Sequence, residues 1–459
     1  MLLEALAEYA TREAVAVIPE AARHHAKRAI VDWHAALFAG ATHAPTAIMV
    51  RALADELDRG QARIFSGRRA SIRAAALINA TASHAAEVDD VFREAVYHPG
   101  SPTISAALAV GQARGCTGDR LLRAVIVGYE IATRIGALIL KTHYRYWHTT
   151  GTVGCLGAAA AAGVVLGLGR REFMNALATA TTAAAGLQQA FRSDSMSKPL
   201  HAGRAADVGV MSALGAAEGL VGAIDVIEGP AGFGAAMAGS PDWQGALVGL
   251  GTDYNITKIT VKNHCCCGQA FAAIDAVLAV RTVYDFDPAD IERVDLVTYS
   301  TALEVAGSDR ATTPAEARFS IPYVVAWALR YGSVRLGAFD DEALKNDAVR
   351  ALMRRVYSLP NADYDARFPA QRCARATITL KDGRVLSREQ TTRKGDPDAP
   401  LTDAELEAKF RELVVPVIGE ASAQRLLDAS WAVDCLDRVD ELGHAPCTEA
   451  FARSSQEHA

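Results

Sequence analysis

Aromatic residues are scarce. Phe, Trp and Tyr make up 7% of the 459 residues, although the chain is 50% hydrophobic. The apolar mass is therefore mainly Ala, Val, Leu and Ile. Ala costs least in a helix and lets helix backbones approach, so this composition predicts closely packed helices. It excludes disorder, collagen and a small disulfide scaffold. A basic surplus is also missing: 47 Lys and Arg stand against 53 Asp and Glu, a net charge of −6. With a pI near 6.1, nothing marks nucleic acid or an anionic membrane as a partner.

Several motifs are absent as well. The start of the chain has no basic n-region, and Glu4 and Glu8 interrupt its apolar residues. A secretory signal is therefore not expected, and the sequence predicts a soluble, cytoplasmic protein. The eight cysteines are dilute and form no Cys-x-x-Cys pair, so reduced thiols are expected. Cys265, Cys266 and Cys267 are adjacent. Neighbouring side chains diverge along an extended chain, so no metal is expected there. No Gly-x-Gly-x-x-Gly follows a strand pattern and no Walker-type motif occurs, so nucleotide cofactors are not indicated. A Gly-x-Ser-x-Gly elbow is missing too, which disfavours a serine hydrolase.

What the chain has in quantity is helix pattern. Glu20–Phe38, Ala70–Val88, Leu121–Leu140, Gly154–Leu168, Glu172–Gln189 and Ala205–Gly219 carry Ala/Leu/Val-rich runs without strand alternation. Residues 151–169 are uncharged and long enough to cross a membrane. They are mostly Ala and Gly, and mean hydropathy is only +0.09, so a buried central helix is expected and no membrane.

The pattern changes near residue 250. Asn255–Lys262 and Val294–Ser300 alternate as short strands, and Ala374–Arg388 reads as a hairpin around Asp382-Gly383, a dipeptide suited to a primed turn. Thr402 and Glu405 have capping-box spacing. The tail from Ser455 is polar and expected to fray. The fold expected is mainly α: an all-helical domain over 1–254, completed by 401–459, with a smaller α+β lid domain over 255–400.

Polar residues inside an Ala-rich helical protein need a reason, because burying them unpaired is costly. Five clusters stand out. Glu87, Asp89 and Asp90 follow an apolar helix, with His84 before them and His98 after; alone, they read as solvated helix-end residues. His148 opens the Gly/Ala helix, where the dipole resists protonation and leaves the ring able to act as a base near neutral pH. Arg192–Arg204 holds cations and His201 between two helices, with Lys198 held by Pro199. Lys258, Lys262 and His264 surround an expected strand end, and Arg318 and Tyr323 enter another apolar helix. Many cations and imidazoles with few carboxylates suit a small polyanion.

In order along the chain, seven motifs resemble the MmgE/PrpD family. They are Asn79-Ala80…His84…Asp89-Asp90, Val125–Gly136, His148-x-x-Gly151-x-x-Gly154, Lys198-Pro199-Leu200-His201-x-Gly203, Glu228-Gly229-Pro230-x-Gly232-Phe233, Arg318–Tyr323 and Lys394-Gly395-Asp396-Pro397. The resemblance implies a helical domain plus an α+β lid, a homodimer, and no metal or organic cofactor. It also implies chemistry beside a carboxylate on a small di- or tricarboxylate. Carried over by residue, it matches His148, Lys198, His98, Lys262, Tyr323 and the Asp89–Asp90 pair; together with the cationic loops this gives His148, Lys198, His98 and Asp90 as expected catalytic residues, and Asp89, Lys262, His264, Arg318, Tyr323 and His201 as expected substrate-binding residues. His148 or Asp90 would take the proton, His98 would act as acid, and Tyr323 would donate to a carboxylate.

Departures sit among these residues. The family's Asp-Phe-Asp-Asp-Thr is Glu87-Val88-Asp89-Asp90-Val91 here, and Cys265-Cys266-Cys267…Phe271 replaces a Pro before two Cys and a later His. The leading expectation is a dehydratase of the 2-methylcitrate type. Epimerisation of an imino- or amino-dicarboxylate and decarboxylation of cis-aconitate are the alternatives. A helical protein that binds the ligand without turnover is the reading from outside enzymology.

Overall fold

The computed structural model describes residues 1–193 and 195–443; the tail expected to fray from Ser455, together with Asp194 and Cys447, lies outside the described residues. The chain divides into two compact units, Met1–Thr260 with the segment from Thr402 onward, and Val261–Leu401. The boundary expected at 254/255 falls six residues later.

The helices of nine residues or more in the first unit are α1 (Leu2–Glu13), α2 (Glu20–Ala41), α3 (Ala44–Ala52), α4 (Ile72–Ala85), α5 (Gly100–Arg114), α6 (Gly118–His143), α7 (Thr149–Leu166), α8 (Arg170–Thr182) and α9 (Ser197–Ala217). The second unit has α10 (Phe271–Val283) and α11 (Ile321–Tyr331). The chain then returns to the first unit with α12 (Asp403–Ile418) and α13 (Glu420–Trp431).

The uncharged stretch forms α7, which is long and apolar enough to cross a membrane by length and composition, yet is 94% buried within its unit. It packs against α5, α6, α8 and α9. Small residues make this approach possible: a Cβ on Gly209 of α9 would lie 2.4 Å from Ala158 Cβ, and one on Gly203 would lie 2.1 Å from Thr81 Oγ1 of α4. α9 is thereby seated against both α7 and α4, which fixes where its first two turns stand.

Sequence periodicity misses three local features. A two-stranded sheet, β1 (Leu57–Arg63) with β2 (Arg69–Ala70), interrupts the helical half. α8 ends at Thr182 instead of running to Gln189, and Gly186 takes φ +136° in the following loop. Asn255–Lys262 is not a strand. Asn255–Lys258 is a 3-10 turn, and only Thr260 makes a β-bridge, to Val91. Asn255 explains this: its N–H donates to Glu130 (2.7 Å) and its side-chain amide to Thr133 (3.1 Å), so its hydrogen bonds go to α6 and not to a ladder.

The second unit carries a four-stranded sheet in the order β4 (Val356–Pro360), β3 (Ile291–Thr298), β5 (Ala374–Leu380), β6 (Val385–Gln390). β3 runs parallel to β4 and antiparallel to β5, and β5–β6 is the expected hairpin. Its turn places only Gly383 at positive φ, whereas a type I′ turn needs two such residues. The capping box of Thr402 and Glu405 forms as read.

Candidate active site

α4 ends at Ala85, and the chain leaves it through Glu87, a non-glycine residue at φ +59°. Holding a branched-off side chain in that region costs on the order of 1–2 kcal/mol. The acidic residues that follow are not solvated helix-end groups: Asp89 and Asp90 are 2% and 4% exposed.

Each carboxylate of this loop has its own task. Asp90 Oδ2 accepts the Tyr129 hydroxyl (2.7 Å) and Oδ1 accepts the Gly100 N–H (3.0 Å), which caps α5. Burial, then the field of Asp32, pushes its pKa up to about 7. Each oxygen has a partner in the scaffold, so Asp90 ties the loop to α5 and α6. Asp89 Oδ2 accepts from Ser101 Oγ (3.0 Å) and shares a hydrogen bond with His84 Nδ1 (2.6 Å), and His98 Nδ1 lies 3.3 Å away. Glu87 pairs with Lys198 Nζ.

Lys198 stands in the first turn of α9, not in a loop before it, and His201 follows one turn later. The Lys198 ammonium also sits 5.5 Å from the centre of the Phe191 ring. His148 is the N-cap residue of α7, and its N–H donates to Gly186 O (2.8 Å). His148 Nδ1 and His201 Nδ1 are 3.1 Å apart. A Cβ on Gly186 would come within 3.2 Å of that His201 nitrogen, so glycine is needed there both for φ and for space.

The imidazoles form one group. The His84 ring stacks on His148 at 5.5 Å and meets His98 edge-on at 4.8 Å, while the Phe191 edge packs on His148 at 4.6 Å. Burial disfavours the charged form of His84, His148 and His201. It pushes His84 down to about 3, countered in part by Asp89, and lowers His148 well below its ordinary value, helped by the neighbouring imidazoles. His201 falls to about 4 through burial and then Lys198. For His148, desolvation outweighs the helix dipole invoked from sequence.

His84, Asp89 and His98 present ligand-type atoms within 4.8 Å of one another, a donor set that suits a divalent ion. The 2.6 Å spacing of His84 Nδ1 and Asp89 Oδ2 is that of a shared proton. Two ligands on one zinc-sized ion would stand at least about 2.9 Å apart. The arrangement is a hydrogen-bonded one.

The remaining candidates lie in the second unit. Lys262 is buried, and its charge and that of Arg318 both act on Cys266, whose thiol burial raises well above its usual range. Burial lowers Arg318, which lies 5.0 Å from the Phe339 ring centre. Two residues expected to bind substrate have protein partners in this structure. His264 Nε2 is taken by Asp275 Oδ1 (2.9 Å), and the Tyr323 hydroxyl donates to Ala338 O. The cysteine run Cys265–Cys267 is buried as free thiols.

Thus the first unit brings together His98, Asp89, Asp90, His148, Lys198 and His201. Sequence reasoning gave no role to His84, Glu87, Ser101 or Phe191. His84 was legible as one of the polar residues in an apolar helix; Glu87 and Lys198, 111 residues apart, leave no local signal of pairing. The cluster is also richer in carboxylates than a plainly cationic site.

Two family models match the chain in order, the MmgE/PrpD N-terminal domain over residues 4–246 and the MmgE/PrpD C-terminal domain over residues 264–434. The chain is 28% identical over 452 residues to a cis-aconitate decarboxylase-like protein, oryM, of Aspergillus oryzae, covering 93% of each. It is 26% identical to a cis-aconitate decarboxylase of Aspergillus terreus (95% of this chain, 94% of that one), and 29% identical to one of Mus musculus (80% and 74%). The chain belongs to the MmgE/PrpD family.

Proposed function

We propose that this protein is a lyase for a small di- or tricarboxylic acid, working by proton transfer at a carbon beside a carboxylate and using its own side chains. The observation that carries this reading is the buried group of imidazoles, His84, His98 and His148, two of which (His84 and His148) burial keeps from protonating, standing with the Lys198–Glu87 pair. A neutral imidazole can accept a proton near pH 7, and a cation beside it stabilises the charge that develops on the substrate. Lys198 is the carboxylate-binding group of the first unit. Lys262 and Arg318 are proposed to hold carboxylates too, each to be tested by its own effect on KM.

The relatives' names make decarboxylation of cis-aconitate the first reaction to assay. In it the bond to the departing carboxylate breaks, CO₂ leaves, and the electron pair left on carbon is quenched by a proton from a cationic side chain, the Lys198 ammonium being the one at hand. In the dehydration alternative, an imidazole takes the proton beside a carboxylate, the double bond forms, and hydroxide departs with a proton from a second group. Decarboxylation needs a proton donor, and dehydration needs both an acceptor and a donor.

The test is to incubate the protein with cis-aconitate, 2-methylcitrate, citrate and iminodisuccinate in heavy water. Released CO₂ marks decarboxylation and a new alkene marks dehydration. Deuterium in otherwise unchanged substrate marks epimerisation, which would replace the lyase reading. His148→Gln is expected to lower kcat by about 10²- to 10⁴-fold with little change in thermal stability. Neither turnover nor saturable binding of any acid, or an unaffected His148→Gln enzyme, would overturn the proposal.

A further inference from the structure

Asp89 is buried, and its Oδ2 is turned to protein groups. That oxygen meets the Ser101 hydroxyl and His84 Nδ1, and His98 Nδ1 stands 3.3 Å away, within ion-pair distance but without a hydrogen bond in the resting protein. An ionised carboxylate only accepts hydrogen bonds. A ring nitrogen that meets it must therefore carry a proton. In a neutral ring this leaves Nε2 bare, and the other nitrogen becomes the reactive one. His84 shows the consequence: its Nε2 is buried and makes no hydrogen bond with the described residues. A buried acceptor left in that state costs about 1–3 kcal/mol, so some compensating use is expected of it.

We infer that Asp89 is the positioning residue of this site, fixing His84 and His98 in the Nδ1–H tautomer so that both offer Nε2 as a proton acceptor. The inference deepens the lyase reading and rests on it for the chemical consequence. It reverses the role given to His98 from sequence. In the resting protein, His98 is a base: Nε2 takes the proton from the substrate carbon, the bond to carbon passes its electrons to the developing enolate, and the new imidazolium is held by Asp89. The 3.3 Å approach of His98 Nδ1 is loose in the resting state and shortens when the ring becomes charged. This is the dehydration step: hydroxide leaves with a proton from the second group, and His98 then releases the abstracted proton to water. No other reactant is required.

The experiment has two arms. The first uses the full-length protein labelled with ¹⁵N-histidine, with ring signals assigned through His84→Gln and His98→Gln. Both rings are expected in the neutral Nδ1–H form; a proton on Nε2 of either ring overturns the inference. This readout needs no substrate, so it stands apart from any failure of the lyase reading, which would show as wild-type protein that neither binds nor turns over an acid.

The second arm is Asp89→Asn. The amide keeps the shape but offers an N–H where an acceptor stood, so it favours the opposite tautomer. Expected are a tautomer change at His98 and a fall in kcat of about 10²- to 10⁴-fold with KM within about threefold. Unchanged tautomers, or a rise confined to KM, would make Asp89 a substrate ligand. If this variant does not fold, the wild-type tautomers decide.

Discussion

Each unit encloses a buried aspartate, and the two are satisfied by opposite kinds of partner. Asp396, in the second unit, meets Arg393 as a fork: Nε at 2.8 Å and Nη2 at 2.5 Å, with the third donor, Nη1, on Gly268 O at 2.7 Å. A guanidinium does not give up its proton in the working pH range, so this pair holds one state. Asp89, in the first unit, meets a hydroxyl and imidazoles, groups whose protons can move. Burial is equal at 2% for both. The difference lies in the partner, and it separates a fixed joint from a device for proton transfer.

Acid is the strongest way to pull the two apart. His34, His84 and His148 are fully buried in the first unit, with the first two pushed down to about 4 and about 3 by burial and His148 well below its ordinary value. Unfolded, each titrates near 6.5. Below that pH the unfolded chain binds protons that the folded one refuses, so stability falls as pH drops from about 6.5 toward 4. Asp90 works the other way. Its folded pKa is raised to about 7, so its contribution is full below about 4 and is lost as pH rises to about 7. Three imidazoles against one carboxyl leave a net loss on the order of 4 kcal/mol at pH 5. Hydrogen exchange resolved by segment is expected to show α2, α4 and α7 opening first on acidification. Loss of β3 and β5 ahead of them would break the comparison.

Substitution should act most strongly on the other aspartate's partner. Arg393→Met leaves a buried carboxylate without its cation and is expected to cost about 3–5 kcal/mol in urea unfolding. The kcat per folded molecule should stay within about twofold, because the fork carries no proton for the reaction. A stable Arg393→Met protein would show that the second unit has another way to satisfy Asp396.

The contrast also explains what could be read in advance. α7 was legible because its run of Gly and Ala has no other use than close packing, and His148 was legible because it stands at that helix's start. The roles of the carboxylates were not. Glu87, Asp89 and Asp90 are near neighbours, yet one pairs with Lys198, one with two imidazoles and one with Tyr129 and Gly100. Those partners come from α4, α5, α6 and α9, and their meeting depends on tertiary packing that local pattern does not carry. Asn255–Lys262 failed as a strand for a related reason: alternation describes a side-chain pattern, whereas a ladder needs a neighbour to accept it.

Tyr323 gives the smallest effect and the most direct check on the second unit. The sequence resemblance assigns its hydroxyl to a substrate carboxylate, but the structure gives that hydrogen bond to Ala338 O. The side chain is completely buried, and burial pushes its pKa up to about 12, so the hydroxyl stays a donor at every pH the fold survives. Tyr323→Phe removes the donor and leaves a buried carbonyl short of one partner, worth about 1–2 kcal/mol of stability. kcat and KM should both stay within about twofold of wild type. The opposite pattern, unaltered unfolding with KM raised tenfold or more, would mean that the hydroxyl turns from Ala338 to the substrate. Tyr323 would then no longer belong with Arg393 as a fixed joint, and the line between the two kinds of buried polar group would run through the second unit itself.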